Sequence, residues 1–193
     1  MEHKGTKIIE TNRLVLRPFT IADAEAMYDN WANDPEVTEH LTWLVHESLD
    51  VTRQILESWV AQYDNLGYYQ WAITLKEEGD EPIGTIGSVG KIESLKSIAV
   101  GYCIGKNWWR KGIISEALTA LIKFFFEEAK VNQLSANHLP ANPNSGKVLL
   151  KCGFKYKGIK HEATRTNRGD IADSVEYEMV LEDYKAMDIV EDI

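Results

Sequence analysis

The stretch from Ile98 to Phe125 constrains the fold most, because it runs from a strand pattern through a short basic connection into a helix pattern. Residues 98–105 combine β-branched and aromatic side chains, which is typical of a buried strand. The apolar residues after Gly112 recur at the spacing of one helical face: Ile114, Ala117, Leu118, Leu121, Ile122 and Phe125. The pattern predicts a strand that leads directly into a long core helix.

The connection between this strand and this helix has the character of an anion site. The first N–H groups of a helix have no partner within it, and the helix dipole adds partial positive charge there. Arg110 and Lys111 add full positive charge, and Gly112 lets a bulky phosphate approach the backbone. We therefore expect a phosphate-bearing ligand at this helix start. The alternative is a solvated basic turn that only joins two core elements.

Two common phosphate loops do not match this stretch. A Walker A loop needs four residues between its first glycine and its Gly-Lys pair, whereas three separate Gly101 from Gly105, and Asn107 follows Lys106. The even glycine spacing at 84, 87 and 90 also differs from the dinucleotide-binding fingerprint. The loop therefore belongs to another class.

Composition favours an ordinary globular protein and excludes some functions. No apolar run approaches the roughly 20 residues that span a bilayer, so we expect no membrane segment. A net charge of −9 argues against a nucleic-acid binder. That charge is compatible with a cationic substrate, and equally with plain solubility. The histidines show no zinc spacing, so we expect no metal, and two cysteines without a signal-peptide pattern suggest the reducing cytoplasm.

The remaining patterns follow the order β-α-α-β-β-β-α-β-α-β-β, without an internal repeat or a linker. This order predicts one α/β domain over residues 1–193, with a core at about 12–182 and a loosely docked, fraying acidic tail at 183–193. We predict strands at 13–17, 69–75, 82–89, 98–105, 133–138, 154–160 and 174–181. Helices are expected from Thr20 to about 33, at 50–66, after Gly112 and at 145–152, with 36–49 irregular.

Two motifs resemble the RimJ/RimL branch of the GNAT superfamily of N-acetyltransferases, which includes ribosomal-protein N-terminal acetyltransferases. The first is Gly101-Tyr-Cys-Ile104 followed by Trp109-Arg-Lys-Gly-Ile-Ile-Ser-Glu-Ala-Leu118. The second is Asn142-Pro-Asn-Ser-Gly-Lys-Val-Leu-Leu-Lys-Cys-Gly-Phe154, thirteen consecutive positions. Residues 11–18 also resemble that branch's opening strand. Trp109 and Ile114 depart from the Gln or Arg and the Gly or Ala that are usual in the superfamily's loop.

The resemblance implies a single-domain fold with a mixed, mostly antiparallel sheet of about seven strands, about four flanking helices, and splayed fourth and fifth strands. It also implies that acetyl-CoA binds between the splayed strands. The positions that match the pantetheine site are Tyr102, Cys103, Ile104 and Asn142. Those that match the pyrophosphate loop are Arg110, Lys111, Gly112, Ile113, Ile114 and Ser115.

The implied activity is direct acetyl transfer to a primary amine. A protein N-terminal α-amine is favoured, since its pKa of ~7.7 makes deprotonation easier than for a lysine at ~10.4. The alternatives are a small-molecule amine as the acceptor, or a non-catalytic CoA-binding protein. A monomer and a homodimer are both compatible with the sequence.

The catalytic assignments also follow from the resemblance. Ser145 is the candidate acid for the departing thiolate, with Asn142 beside it, although both are also typical helix caps. Ala99 stands where many relatives have a glutamate in the fourth strand. The stretch Lys160-His161-Glu162 resembles RimL-type enzymes, in which a glutamate has the base role, so the resemblance implies Glu162 as the candidate base and His161 as the second choice. An exposed strand charge is the plain alternative for Glu162.

The N-terminal third supplies the expected acceptor wall. Tyr28 and Trp31 lie on one face of the predicted first helix, and Trp43 lies in the irregular segment with His40 and His46. We expect Tyr28, Trp31 and Trp43 to contact the substrate that carries the acceptor amine. The alternative for Trp43 is an anchor that holds a loop on the core.

Overall fold

The computed structural model describes residues 1–191, and their side chains as far as Met187. This part of the chain forms eight strands: β1 Ile9–Glu10, β2 Leu14–Arg17, β3 Gln70–Leu75, β4 Pro82–Ile92, β5 Ser97–Ile104, β6 Gln133–His138, β7 Lys155–Arg165 and β8 Ile171–Val180. It also forms six α-helices: α1 Ala24–Met27, α2 Pro35–Thr38, α3 Leu49–Val60, α4 Ile113–Lys123, α5 Pro143–Lys151 and α6 Leu181–Glu191. None of these helices combines the length and the apolar character that a membrane span needs.

The eight strands form one sheet in the order β1-β2-β3-β4-β5-β6-β8-β7. Neighbours are antiparallel except β5 and β6, which pair in parallel only between Ser97–Ala99 and Gln133–Ser135. Beyond these residues the two strands separate. The predicted splay is thus present, and it lies between β5 and β6 because the short β1 adds a strand at the sheet's edge.

The strand β4 contributes to the same distortion. Its pairing with β5 shifts register between Ser88 and Gly90, so that Val89 is an extra residue on β4. A bulge of this kind increases local twist. The sheet therefore changes direction at the level where β5 leaves β6.

Helices cover both faces of the sheet. On one face α4 buries its whole apolar stripe, and α5 contributes Leu149 to the same core. On the other face α1 and α3 enclose a second cluster that includes Phe19, Trp31 and Leu56. The chain thus forms a three-layer α/β domain, as the sequence pattern predicts.

Two segments are more regular than predicted. Residues 36–38, expected to be irregular, belong to α2, which has Pro35 at its first turn. Its cap Asp34 accepts from the Glu36 N–H at 2.9 Å. The acidic tail continues as α6, and its Tyr184 ring stacks on Phe126 at 5.0 Å. The tail is therefore docked through Tyr184, while the expected frayed end at 192–193 lies outside the described residues.

A side-chain contact bridges the gap beyond the last β5–β6 pair. The Tyr102 hydroxyl donates to the Ser145 carbonyl oxygen at 3.1 Å and shares a second hydrogen bond with Ser145 Oγ at 2.9 Å. Burial raises the pKa of Tyr102 well above its usual value, so the hydroxyl stays protonated. β5 is thereby linked to the start of α5.

We predict that Leu121→Ala destabilises the protein by about 2–5 kcal/mol, because it leaves a cavity under α4 where Leu121 is fully buried. Urea unfolding measures the change. Leu150→Ala is the matched control, since Leu150 is 53% exposed on α5 and should cost less than about 0.5 kcal/mol. Similar losses from both substitutions would contradict the assigned core.

We predict that Tyr102→Phe lowers the free energy of unfolding by about 0.5–1.5 kcal/mol, because the bridge to Ser145 loses its hydroxyl. Tyr156→Phe is the control, since Tyr156 is 55% exposed and contacts Tyr177 through its ring, which phenylalanine keeps. Urea unfolding of the ligand-free protein compares the two. Equal stability of both variants would show that the bridge does not form in solution.

Candidate active site

A cleft of about 1000 Å³ opens where β5 and β6 separate. One side, here called the loop half, consists of β5, the loop into α4, the end of β6 and the start of α5. The other side, the aromatic half, comes mainly from α1 to α3 and their connections; it is lined by Met27, Trp31, Val37, Leu41, Trp43, His46, Ile55 and Trp59. No cluster of three metal-ligating side chains occurs in the described part of the chain.

The backbone of β5 offers hydrogen-bonding groups to the cleft. The Gly105 N–H donates to Ile83 of β4 at 3.0 Å, and Lys96 O accepts from Asn132 on the opposite side at 2.8 Å. Since backbone groups alternate in direction along a strand, the N–H and C=O groups of Tyr102 and Ile104 also point away from β4. In the described chain no strand pairs with them there, because the pairing with β6 ends at Ala99. Trp109 Nε1 occupies the Ile104 carbonyl at 2.9 Å, which leaves the two amides for a ligand.

The start of α4 supplies a second set of free amides. The helix's first backbone bond runs from the Glu116 N–H to Gly112 O at 3.1 Å. The N–H groups of the three residues before Glu116 thus precede the first internal donor. Gly112 has a φ of 76°, which glycine tolerates, and Arg110 adopts the same left-handed region at 61°. These amides, the helix dipole and the exposed Arg110 and Lys111 make the predicted anion site.

The loop half is held in place by residues that the sequence did not single out. Glu116 accepts from Thr11 Oγ1 at 2.6 Å and from Arg13 Nε at 2.7 Å, and Arg13 Nη1 donates to Lys111 O at 3.1 Å. Burial disfavours the Glu116 carboxylate, but these hydrogen bonds outweigh it and lower its pKa. The loop is thus tied to the segment that opens β2, about a hundred residues earlier in the chain.

The start of α5 brings two predicted residues to the cleft. Asn142 caps the helix by accepting from the Ser145 N–H at 3.4 Å, and both side chains line the loop half. Cys152 Sγ donates to Ser115 O at 3.5 Å and connects the end of α5 to α4. The capping role of Asn142 is thus present in the structure, and roles of Asn142 and Ser145 toward a ligand stay predictions.

Cys103 faces the aromatic half. Its side chain packs with Trp31 and Ala72 in the cluster under α1 and α3, on the opposite side of the sheet from Tyr102. Burial raises the pKa of the Cys103 thiol to about 12. Cys103 is therefore a neutral, apolar part of the cleft's floor.

The structure brings two of the three expected acceptor-wall residues to the cleft. Trp31 is fully buried and Trp43 is half-buried, and both line the aromatic half. Tyr28 lies in the π-helical turn Tyr28–Ala32 and is not among the residues that line the cleft. The Trp43 ring packs against His46 with centroids 5.2 Å apart.

Glu162 and His161 lie on the edge strand β7, outside the cleft. The Glu162 N–H donates to Asp173 Oδ1 and His161 Nδ1 to Asp173 Oδ2, each at 3.0 Å, and both residues are exposed. A register shift between Lys160 and Thr164 separates them from the residues that do line the cleft, such as Arg165. The structure therefore does not support Glu162 or His161 as the base.

His46 is a cleft residue to which sequence reasoning assigned no chemistry. It is buried, its Nδ1 lies 2.8 Å from the buried Thr52 Oγ1, and burial lowers its pKa. No periodic pattern marks the pair, because the start of α3 lies between its two members.

Comparison with known proteins identifies the family. Residues 13–155 match the model of the acetyltransferase (GNAT) domain. The uncharacterised N-acetyltransferase YoaA of Bacillus subtilis (strain 168) is 31% identical over 152 residues, which cover 79% of this chain and 85% of that protein. The ribosomal-protein-serine acetyltransferase of Escherichia coli (strain K12) is 30% identical over 140 residues, covering 68% and 76%.

The fold agrees with this match. A structure of RimL, described as a ribosomal L7/L12 α-N-protein acetyltransferase in complex with coenzyme A, superposes with a TM-score of 0.79 at 20% identity. The superposition covers 92% of this chain and 99% of that one. The splayed sheet, the glycine loop before α4 and the sequence matches agree: the chain belongs to the GNAT family and is an N-acetyltransferase.

Proposed function

We propose that the enzyme transfers the acetyl group of acetyl-CoA directly to a primary amine, most simply the α-amine of a protein N-terminus. The observation that carries the proposal is that two separate sets of free backbone amides, on β5 and at the start of α4, face one cleft. A ligand with an amide-containing arm and a phosphate end fits both sets. Acetyl-CoA has this composition.

The pyrophosphate would lie at the start of α4. Arg110 and Lys111 supply positive charge, and the amides of Ile113, Ile114 and Ser115 supply donors. Ile114 departs from the family's usual Gly or Ala, but its side chain is 8% exposed and belongs to the core cluster. Its bulk is therefore directed away from the loop, and only its N–H is offered.

The pantetheine arm would run along the free edge of β5. The amides of Tyr102 and Ile104 can pair with it as a strand would, and the Asn142 carboxamide can serve it from the opposite wall. Cys103 offers no group to this edge, since its backbone N–H and C=O face β4 and its thiol lies on the other face of the sheet.

When bound, acetyl-CoA supplies an activated acyl group that a neutral amine can attack. The chain's own task is to position that amine and to handle protons. Ser145 is the donor we assign to the leaving thiolate, because its Oγ lies in the cleft and Tyr102, which stays protonated, can return a proton to it at 2.9 Å.

The acceptor amine follows from two further observations. The similarity to the ribosomal-protein-serine acetyltransferase supports a ribosomal protein as the acceptor, and the lower pKa of an α-amine favours its N-terminus over a lysine side chain. A ribosomal protein as the acceptor would place the reaction in the cytoplasm. A small-molecule amine is the second candidate, because Trp43 and Trp59 give the aromatic half an apolar lining that an amine with an apolar body fits.

The proposal predicts acetyl-CoA-dependent thiol release with a suitable amine. The purified protein is incubated with acetyl-CoA and a panel of peptides with ribosomal-protein N-termini, lysine peptides, polyamines and amino acids, and the products are identified by mass spectrometry. N-terminally acetylated peptides are expected. Acetylation confined to small molecules would replace the acceptor, and coenzyme A binding without turnover across the panel would favour a non-catalytic protein.

We also predict that Gly112→Asp weakens coenzyme A binding at least about tenfold, because it places a carboxylate at the anion site and a side chain at a φ of 76°. Isothermal titration calorimetry measures the change. Gly79→Asp is the matched control, since Gly79 has a φ of 93° in an open turn outside the cleft. Unchanged affinity in Gly112→Asp would remove the phosphate from this loop.

A further inference from the structure

His46 differs from the other titratable side chains of the aromatic half in being buried and held at one ring nitrogen. Its Nδ1 lies 2.8 Å from Oγ1 of Thr52, which is fully buried on α3. Its backbone N–H donates to Ala32 O at 2.8 Å, which ties the loop to the turn that carries Trp31. The Trp43 ring packs against the imidazole at 5.2 Å. Three contacts therefore fix the position of this ring.

The second ring nitrogen is left for a ligand. Of the two ring nitrogens of His46, only Nδ1 has a hydrogen-bond partner in the part of the chain that the structure describes. The side chain lines the cleft. His138, in the loop half, differs because Nδ1 donates to Leu139 O at 2.7 Å and Nε2 lies 3.4 Å from the Tyr177 hydroxyl. Both of its nitrogens are thus engaged, and His46 keeps one free.

We propose that His46 accepts the proton that the acceptor amine loses during acetyl transfer, with Nδ1–H donating to Thr52 and the Nε2 lone pair facing the amine. The assignment rests on the proposed function and adds its base. It also accounts for Ala99 on β5, where no carboxylate is present, and for the exposed position of Glu162 on β7.

The protons balance in this step. The amine nitrogen forms a bond to the acetyl carbon, the carbon–sulfur bond breaks with its electron pair on sulfur, and one N–H proton moves to His46 Nε2. Ser145 gives a proton to the sulfur and regains one from Tyr102, and exchange with solvent restores Tyr102 and His46 afterwards. The net reaction converts an amine and a thioester into an amide and a thiol.

The surroundings keep the ring neutral near physiological pH. Charged or titratable side chains that line the same cleft include Glu36, Glu39 and His40 from α2 and the turn after it, Cys103 on β5 and Arg165 on β7, and the exposed Glu47 follows His46 in the chain. Burial is nevertheless the one cause that lowers the pKa of His46 below its usual 6.5. Above that value the imidazole is a free base, and it becomes protonated only as the pH falls further.

The test compares the pH profiles of the wild-type enzyme and His46→Gln with the same amine. The wild-type kcat should fall on the acid side as His46 becomes protonated. His46→Gln should lower kcat by roughly 100-fold or more and lose that acid limb, with unchanged coenzyme A affinity. His161→Gln is the control, because His161 lies outside the cleft, and its profile should match the wild type.

Thr52 provides a second pair of variants that keeps the fold. Thr52→Val removes the Oγ1 partner at nearly constant volume and should lower kcat, whereas Thr52→Ser keeps a hydroxyl and should restore it. Long-range ¹H–¹⁵N NMR of the ligand-free protein reads the ring directly. A neutral Nδ1–H tautomer at pH 7 is expected, and an Nε2–H tautomer or an imidazolium would overturn the assignment.

The outcomes distinguish a failure of the proposed function from a failure of His46 as the base. A wild-type protein that binds coenzyme A and acetylates no amine overturns the proposed function. An active wild-type enzyme whose acid limb survives His46→Gln, or whose limb moves with Glu162→Gln instead, overturns His46 alone.

Discussion

The site depends on the point at which β5 and β6 stop pairing. An extended backbone presents a donor and an acceptor at every residue, and leaving one buried without a partner costs about 1–3 kcal/mol. Three residues of each strand are satisfied in parallel, and the next stretch of β5 opens onto a cleft. Because that stretch stays accessible, water or a ligand can take the place of the missing strand. The sheet thereby leaves an open edge on β5, whose backbone groups can pair with an amide-containing chain.

Separate contacts hold the walls of the cleft. Arg13 and Glu116 fasten the loop before α4 to the chain near β2, while Tyr102 and Ser145 connect β5 with α5. The opposite wall comes from a different part of the chain, where α3 packs against Trp31 and its neighbours. The loop half and the aromatic half thus belong to different cores on opposite faces of the sheet. Substitutions in the aromatic half can therefore leave the loop before α4 unchanged.

Sequence patterns predict this fold where the pattern and the burial coincide. Each residue named on the apolar face of the long helix is buried, and β6 has the predicted bounds because its alternation is strict. The sequence pattern does not predict α2, because proline and acidic residues are also typical of a turn. Only the structure shows that Asp34 caps this helix. Tyr28 and Glu162 carry no local signal of direction, since a π-helical turn and a strand bulge decide where they point. His46 depends on a partner across a helix start, which periodicity does not encode.

The burial of Cys103 has a practical consequence for measuring this enzyme. Burial raises the pKa of this thiol to about 12, so it stays protonated at pH 8, and thiolates are the species that react with disulfide reagents. Cys152, the second cysteine, is also buried, and its pKa is raised. A chromogenic disulfide reagent added during turnover should therefore report free coenzyme A with little signal from the folded protein. A signal that rises without the acceptor amine would therefore indicate unfolding of the protein and not acetyl transfer.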